Sequence, residues 1–230
     1  MSGMTLSPRH DDAWLVIPLF NEATVIERVV RDAREVFPHV VCVDDASQDG
    51  SAELAEAAGA VVVRHPFNLG QGAALQTGMR YALEATDAAY LVTFDADGQH
   101  QVQDAEAMVC RAKEEDLAVV FGSRFLDDRT RPGWVKKIVL KAAVWLTNQQ
   151  TGMRLTDAHN GLRVIRRDAA SALDLRQNRM AHATEIVLQL GRTGLPWAEH
   201  PVHVLYTDYS RRKGQSLINS VNILVDTLLK

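Results

Sequence analysis

Tyr90-Leu91-Val92-Thr93-Phe94-Asp95-Ala96-Asp97-Gly98-Gln99-His100 is the stretch on which the fold turns. Five uncharged, largely β-branched or aromatic residues suit a strand buried on both faces. Two acids, a glycine and two polar residues then end it. The same grammar recurs on either side. Trp14-Leu15-Val16-Ile17 runs into Pro18-Leu19-Phe20-Asn21-Glu22, and Val40-Val41-Cys42-Val43 into Asp44-Asp45-Ala46-Ser47-Gln48-Asp49-Gly50. Ala60-Val61-Val62-Val63 leads to Asn68-Leu69-Gly70-Gln71-Gly72, and Ala118-Val119-Val120-Phe121 to Gly122-Ser123-Arg124. Helical spacing fills the gaps, over 23–36, 73–84 and 104–115, with a helix capped by Ser51 and ended by Gly59. Buried strands alternating with helices predict an α/β fold, a mostly parallel sheet flanked by helices. Ligands of such sheets lie beyond the carboxyl ends of the strands, where all five polar segments fall.

The pattern loosens after Arg124. A helix is expected over 133–149, with Ile138, Val139, Ala142, Trp145 and Leu146 on one face and Lys136, Lys137 and Lys141 on the other. Leu162–Ile165 reads as a strand, 183–191 as a helix and Trp197–Leu205 as a strand. The tail, 217–230, is a further amphipathic helix. One domain in two halves results, 1–124 and 125–216, followed by the tail, 217–230.

Among 230 residues, 47% are hydrophobic and 23% charged, which excludes a disordered or fibrous chain. No apolar stretch is long enough to cross a bilayer, and the first residues lack a secretory leader. A cytoplasmic protein is expected, with Cys42 and Cys110 reduced core residues. The net charge of −4 conceals a split. Residues 1–120 hold 8 Lys and Arg against 20 Asp and Glu, a net of −12, while 121–230 hold 17 against 9, a net of +8. An acidic half suits a cation and a basic half an anionic partner. The basic half has no interleaved aromatics, so nucleic acid is not expected.

Asp95 and Asp97 can converge on one hard divalent cation, Mg²⁺ or Mn²⁺, with Gln99 as a neutral oxygen ligand. Asp44, Asp45 and Asp49 suit ribose hydroxyls or a base edge, with at least one spent on an Asx-turn before Ser51. Asn68-x-Gly70-x-Gly72 is a weak dinucleotide fingerprint, and its glycines instead allow close backbone approach. His182 and Glu185, three apart on a helix, are candidates to face the site; His100, His159 and His182 are read first as structural hydrogen-bonding residues.

Pro18-x-x-Asn21-Glu22, Asp44-Asp45-x-Ser47-x-Asp49-Gly50, Asn68-x-Gly70-x-Gly72-x-Ala74 and Asp95-x-Asp97, in this order and spacing, resemble the family 2 glycosyltransferases, which share the GT-A nucleotide-sugar fold. With Gly122-Ser123-Arg124, the segment 95–100 is most similar to the dolichyl-phosphate mannose synthases and bacterial polyprenyl-phosphate glycosyltransferases. The resemblance implies metal binding by Asp95, Asp97 and Gln99, and donor contacts by Pro18, Asn21, Glu22, Asp44, Asp45, Gly72, Asp95 and Ala96. It places Asp97, Arg124, Asp157 and Glu185 in catalysis. Arg124, Arg131, Arg211, Arg212, Lys213 and Ser216 fall to acceptor or diphosphate binding, for which cations are chemically apt. Asp157-Ala158-His159-Asn160-Gly161 stands where that subgroup carries an Asp-x-x-Ser-Gly-like motif, with Asn160 in place of Ser.

The implied activity is inverting transfer of a sugar from a GDP- or UDP-linked donor to a polyprenyl phosphate, dolichyl or undecaprenyl. The amphipathic helices would lie on the inner face of the cytoplasmic membrane, beside a small membrane-anchor protein, or pack on the core or on a second copy in a homo-oligomer. The alternative is a family 2 enzyme acting on a sugar hydroxyl of a polysaccharide or glycolipid, with Glu185 or Asp157 as base. A sugar-phosphate nucleotidyltransferase is disfavoured, because no Gly-rich loop with Arg or Lys follows the first strand. A non-catalytic binding subunit is disfavoured by the retained Asp95, Asp97 and Gln99.

Overall fold

The computed structural model describes residues 10–127, 144–145, 148–149, 151–177 and 181–205. Arg131, Arg211, Arg212, Lys213, Ser216, most of the 133–149 segment and the 217–230 tail lie outside the described residues.

Seven strands form one sheet: β1 (Ala13–Leu19), β2 (His39–Asp44), β3 (Val61–Arg64), β4 (Tyr90–Thr93), β5 (Val119–Ser123), β6 (Arg163–Arg166) and β7 (Trp197–Pro201). Their order is β3-β2-β1-β4-β6-β5-β7. All neighbours are parallel except β6, which runs against both β4 and β5. The expected mostly parallel sheet is therefore present, with one reversed strand supplied by the second half of the chain. That strand sets Arg163 opposite both Thr93 and Phe121, so residues distant in sequence meet at one end of the sheet.

The helices with described bounds are α1 (Ile26–Val36), α2 (Ser51–Ala57), α3 (Gln71–Ala85), α4 (Val102–Glu114), α5 (Arg167–Ser171) and α6 (Ala181–Arg192). Two apolar layers result. Ile26, Val30, Ala105 and Met108 cover one face with Leu15, Ile17 and Val92, and Leu75, Met79, Ile186 and Val187 cover the other with Val16, Val41 and Leu91. Adjacent strand residues thus point to opposite layers, as a sheet buried on both faces requires. Gly78 in α3 permits this packing, because a Cβ there would fall 3.1 Å from Val43 Cγ2 and still closer to Val16.

Several expectations shift locally. Ser51 is the first residue of α2 rather than its cap; Gly50 holds the cap position without a side-chain bond. The Ser51 hydroxyl instead accepts the Glu22 N–H at 2.8 Å, tying the ends of β1 and β2 together. β7 stops at Pro201, which has no N–H to donate. The chain beyond it stays extended through Val202 N–H to Ser123 O and Leu205 N–H to Gln99 O. Cys42 is wholly buried, its thiol pushed up to about 12 by burial and the nearby Asp44 charge. Cys110 is only half-buried, 3.9 Å from His10 Nε2.

Candidate active site

A cavity of about 520 Å³ opens at the carboxyl ends of the first four strands. β1 contributes Pro18, Leu19, Phe20 and Glu22; β2 contributes Asp45. Asn68, Gly70, Gln71 and Ala74 come from the β3–α3 turn, and Asp95, Ala96 and Asp97 from the end of β4. The second half closes it with His159, Gly161, Arg163, His182 and Ala183. Two non-glycine residues at this edge are left-handed, Asn21 (φ 52°) and Ala46 (φ 65°). For alanine that conformation is strained, and such strain gathers at ligand-binding turns.

The loops are braced from beneath. Asp45, almost fully buried, accepts the Leu69 and Gly70 N–H groups at 2.8 and 2.7 Å and faces His65 Nδ1 at 2.8 Å. Its carboxylate therefore holds the 68–70 turn against the end of β2. Asn21 Oδ1 accepts the Gln48 N–H at 2.9 Å, and Asn21 N–H donates to Ser47 Oγ. Asp49 makes the anticipated Asx-turn, accepting the Ser51 N–H at 3.1 Å. Asp44 is buried behind the cavity and accepts the Ser47 N–H. Gly72 presses against the Gln177 carbonyl and His182 Cβ, so it seats the second half on α3.

Asp95 and Asp97 face the cavity with little between them. Gln71 Nε2 donates to Asp95 Oδ1 at 3.3 Å, and His100 Nε2 lies 2.9 Å from Oδ2. Burial pushes the Asp95 carboxyl up, but the bond and charge of His100, then the charges of Arg163 and His182, outweigh it and hold it low. Among the described residues, Asp97 accepts only the Gln99 N–H, at 3.0 Å. Burial and the Asp95 charge push it up to about 6. Gly161 lies so close to Asp95 that any Cβ there would overlap the carboxylate.

These two acids fit a divalent cation. The donors are hard oxygens, and the mutual repulsion that raises Asp97 is what a bound cation relieves. No three His, Cys, Asp or Glu side chains among the described residues are gathered as a ready-made cage. Two carboxylates completed by water and phosphate oxygens are a usual Mg²⁺ environment. Gln99 is buried, with its backbone engaged by Asp97 and Leu205, and does not line the cavity.

Arg124 and Asp157 stand apart from this. Arg124 Nε and Nη2 donate to the two Asp157 oxygens at 2.6 and 2.8 Å, and the Arg124 N–H adds a bond of 3.2 Å. Burial pushes Asp157 up, but Arg124 more than offsets this and keeps it well below the usual carboxylate range. Neither residue lines the cavity. Glu199 on β7 fixes the turn that presents Asp157, accepting the Thr156 and Asp157 N–H groups at 2.8 and 3.0 Å.

Glu185 is turned away as well. Its Oε2 accepts the Arg176 and Gln177 N–H groups at 3.1 and 2.9 Å, and it lines a separate hollow with Asp174, Arg176 and Gln189. His182, one turn earlier, does face the cavity. Among the cavity-lining residues that the sequence reading did not assign to the donor site are Gln71 and Arg163, and His159 has a place there too. His159 is buried, its Nε2 3.4 Å from Thr184 Oγ1, and burial drives its imidazole down to about 4. Arg163 carried no loop or motif signal, since it sits inside an apolar strand run.

The chain matches glycosyl transferase family 2 over residues 14–173. It is 32% identical to an uncharacterized protein of Methanocaldococcus jannaschii, over 96% of this chain and 92% of that one. It is 27% identical, over 94% of both chains, to the UDP-N-acetylglucosamine–dolichyl-phosphate N-acetylglucosaminyltransferase of Methanococcus voltae. In fold it resembles the glucosyl-3-phosphoglycerate synthase of Mycobacterium tuberculosis, crystallised with Mn²⁺, UDP-glucose and phosphoglyceric acid. The TM-score is 0.66 at 20% identity, covering 95% of this chain and 79% of that one. The sheet, the strand-end cavity and the match across two-thirds of its length place this chain in glycosyltransferase family 2, with a GT-A fold.

Proposed function

We propose that the protein transfers a sugar, with inversion, from a nucleotide-diphosphate sugar to a polyprenyl phosphate. The observation that carries the reading is the Asp95–Asp97 pair, set at the mouth of a cavity whose walls come from four adjacent strand ends. The cavity is of the size that a nucleotide sugar requires. Residues 1–124 hold the donor: Pro18, Glu22, Asp45 and Ala96 line the walls. The named activity of the Methanococcus voltae relative, which spans nearly the whole chain, supports a lipid phosphate as acceptor.

A divalent cation, Mg²⁺ or Mn²⁺, would be held by Asp95 and Asp97, and when bound it neutralises charge on the departing nucleoside diphosphate. The residues of this chain do the rest by positioning. Gln71 and His100 fix the Asp95 carboxylate, and Gly161 leaves room for it. An acceptor phosphate oxygen attacks the anomeric carbon from the face opposite the diphosphate. The C–O bond to the diphosphate breaks and its electron pair leaves with the nucleotide. A phosphate is already ionised at neutral pH, so no base is required. Glu185 and Asp157, the bases that a hydroxyl acceptor would demand, are both committed to other partners. Their engagement favours the phosphate acceptor over the hydroxyl one.

The acceptor side is assigned to the basic second half, 125–216, with Arg131, Arg211, Arg212, Lys213 and Ser216 as its phosphate-binding residues, while Arg124 is spent on Asp157. Trp145, 61% exposed next to the buried Val144, fits a helix that rests in a membrane interface. No described helix is long and apolar enough to cross a membrane; attachment at the inner surface is assigned to such an interfacial helix or to an anchor protein.

Incubation with Mn²⁺ or Mg²⁺, a panel of labelled nucleotide sugars and polyprenyl phosphate tests the reading. Label should enter the organic phase. Label found only in water-soluble glycans would replace the lipid phosphate with a sugar hydroxyl.

A further inference from the structure

Arg163 is 2% exposed, the largest of the side chains buried to that degree. It projects from β6, the reversed strand, and contributes to the floor of the donor cavity. Among the described residues its buried Nη2 has no hydrogen-bond partner, and none of its guanidinium nitrogens makes a hydrogen bond there, whereas Arg124, Arg166 and Arg167 in the same half each make several. The nearest acids by their electrostatic influence are Asp95 and Asp157, but neither takes a hydrogen bond from it. Asp157 is saturated by Arg124, and Asp95 is turned to Gln71 and His100.

A buried guanidinium with unmade bonds is costly to the fold. Its planar fork matches paired phosphate oxygens better than any other side chain. We propose that Arg163 is a phosphate-binding residue, its fork donating from the cavity floor to phosphate oxygens of a substrate. This deepens the reading above and rests on it. Both substrates carry phosphate: the donor as a diphosphate and the acceptor as a lipid monophosphate. On the donor, Arg163 would act from the sheet side while Asp95 and Asp97 act through a cation. On the acceptor, it would hold the nucleophile against the repulsion of those acids.

The test compares wild type with Arg163→Met and Arg163→Lys. Binding is measured by calorimetry for three probes: Mn²⁺ alone, UDP or GDP with Mn²⁺, and farnesyl phosphate. Arg163→Met should bind Mn²⁺ as wild type does, and lose about 10- to 100-fold in affinity for one phosphate probe. The probe affected identifies the source of the phosphate. Arg163→Lys keeps the charge beside Asp95 and Asp157 but cannot span two oxygens, so it should fold and show about a 10-fold loss. Should Arg163→Met fail to fold, the Lys variant alone decides. Unchanged affinity for both phosphate probes in the folded variants overturns the proposal. Loss of Mn²⁺ binding would also overturn it, by showing that Arg163 acts through Asp95. Wild type that binds neither phosphate probe would sink this inference and the proposed function together, whereas equal binding by variant and wild type sinks the inference alone.

Discussion

Two pairs of acidic and neighbouring residues, little more than sixty residues apart in sequence, occupy the same end of the sheet and have opposite characters. Asp157 is buried and fully answered: a two-pronged Arg124, that residue's backbone N–H, and the His159 N–H at 3.3 Å. Asp97 accepts one backbone N–H and looks at another carboxylate. The first arrangement holds β5 to the 156–160 turn. The second is destabilised on its own, with a like charge and no built-in counter-ion for Asp97 among the described residues. A buried acid with its counter-ion built in belongs to the architecture, and one without points to a ligand.

The sharpest way to break the contrast is to remove each acid in turn. Asp157→Ala leaves the Arg124 charge buried and unpaired, and should cost about 3–5 kcal/mol in urea unfolding. A loss below about 1 kcal/mol would mean that the pair is solvated and dispensable. Asp97→Asn should leave stability unchanged or raised, since it relieves a like-charge contact, while turnover falls by about 10²–10³-fold. Activity near wild type, or an unfolded chain, would erase the distinction.

Acid should attack the two regions differently. His159 is neutral in the fold until about pH 4, whereas the unfolded chain takes up that proton near 6.5. Between these values the unfolded state binds more protons. The His159 contribution to stability is therefore complete above about pH 6.5 and is lost as the pH drops towards 4, by about 3 kcal/mol. The lowered Asp157 value acts only later, its contribution being lost as the pH falls through the depressed native value, below the ordinary 3.8. Protonation of Asp97, raised to about 6, acts in the opposite sense in the same window, so the His159 limb is read as the difference in urea midpoint between Asp97→Asn and the double variant with His159→Gln across pH 4–7. A difference that stays constant across that range would deny the burial of a neutral imidazole.

Smaller changes sharpen the comparison. Gly161→Ala drives a Cβ into the Asp95 carboxylate and should weaken metal-dependent donor binding by about 10- to 100-fold. The melting temperature should move little. Glu185→Gln should cost about 1 kcal/mol through its two amide bonds and leave turnover within about threefold. A collapse of turnover there would restore Glu185 as a base and favour a hydroxyl acceptor.

Much of this was readable in the sequence because strand ends are local. The alternation of apolar runs with Asp, Asn and Gly segments marks the first four strands, and parallel βαβ order then puts their ends on one edge. Asp95-x-Asp97 shows itself by spacing alone. Arg163 does not, because its importance comes from β6 running antiparallel between β4 and β5, pairings that set it against Thr93 and Phe121. Periodicity within Leu162–Ile165 says strand and nothing about the neighbour. Glu185 fails for the converse reason. Three residues on a helix place it near the face of His182, and only the 173–177 backbone decides that its carboxylate turns aside. Ser51 reads as a cap from composition, yet the close approach of Glu22 claims its hydroxyl. In each case a contact distant in sequence overrules a sound local preference.

The central claim is that the acids closing β4 grip a divalent ion on which the sugar donor's diphosphate rests. Crystals grown with Mn²⁺ and the nucleotide that binds, examined for anomalous scattering, test it most directly. The account requires a manganese peak between Asp95 and Asp97 with phosphate oxygens in its coordination shell. A nucleotide bound in this cavity with the peak elsewhere, or with none, would contradict it.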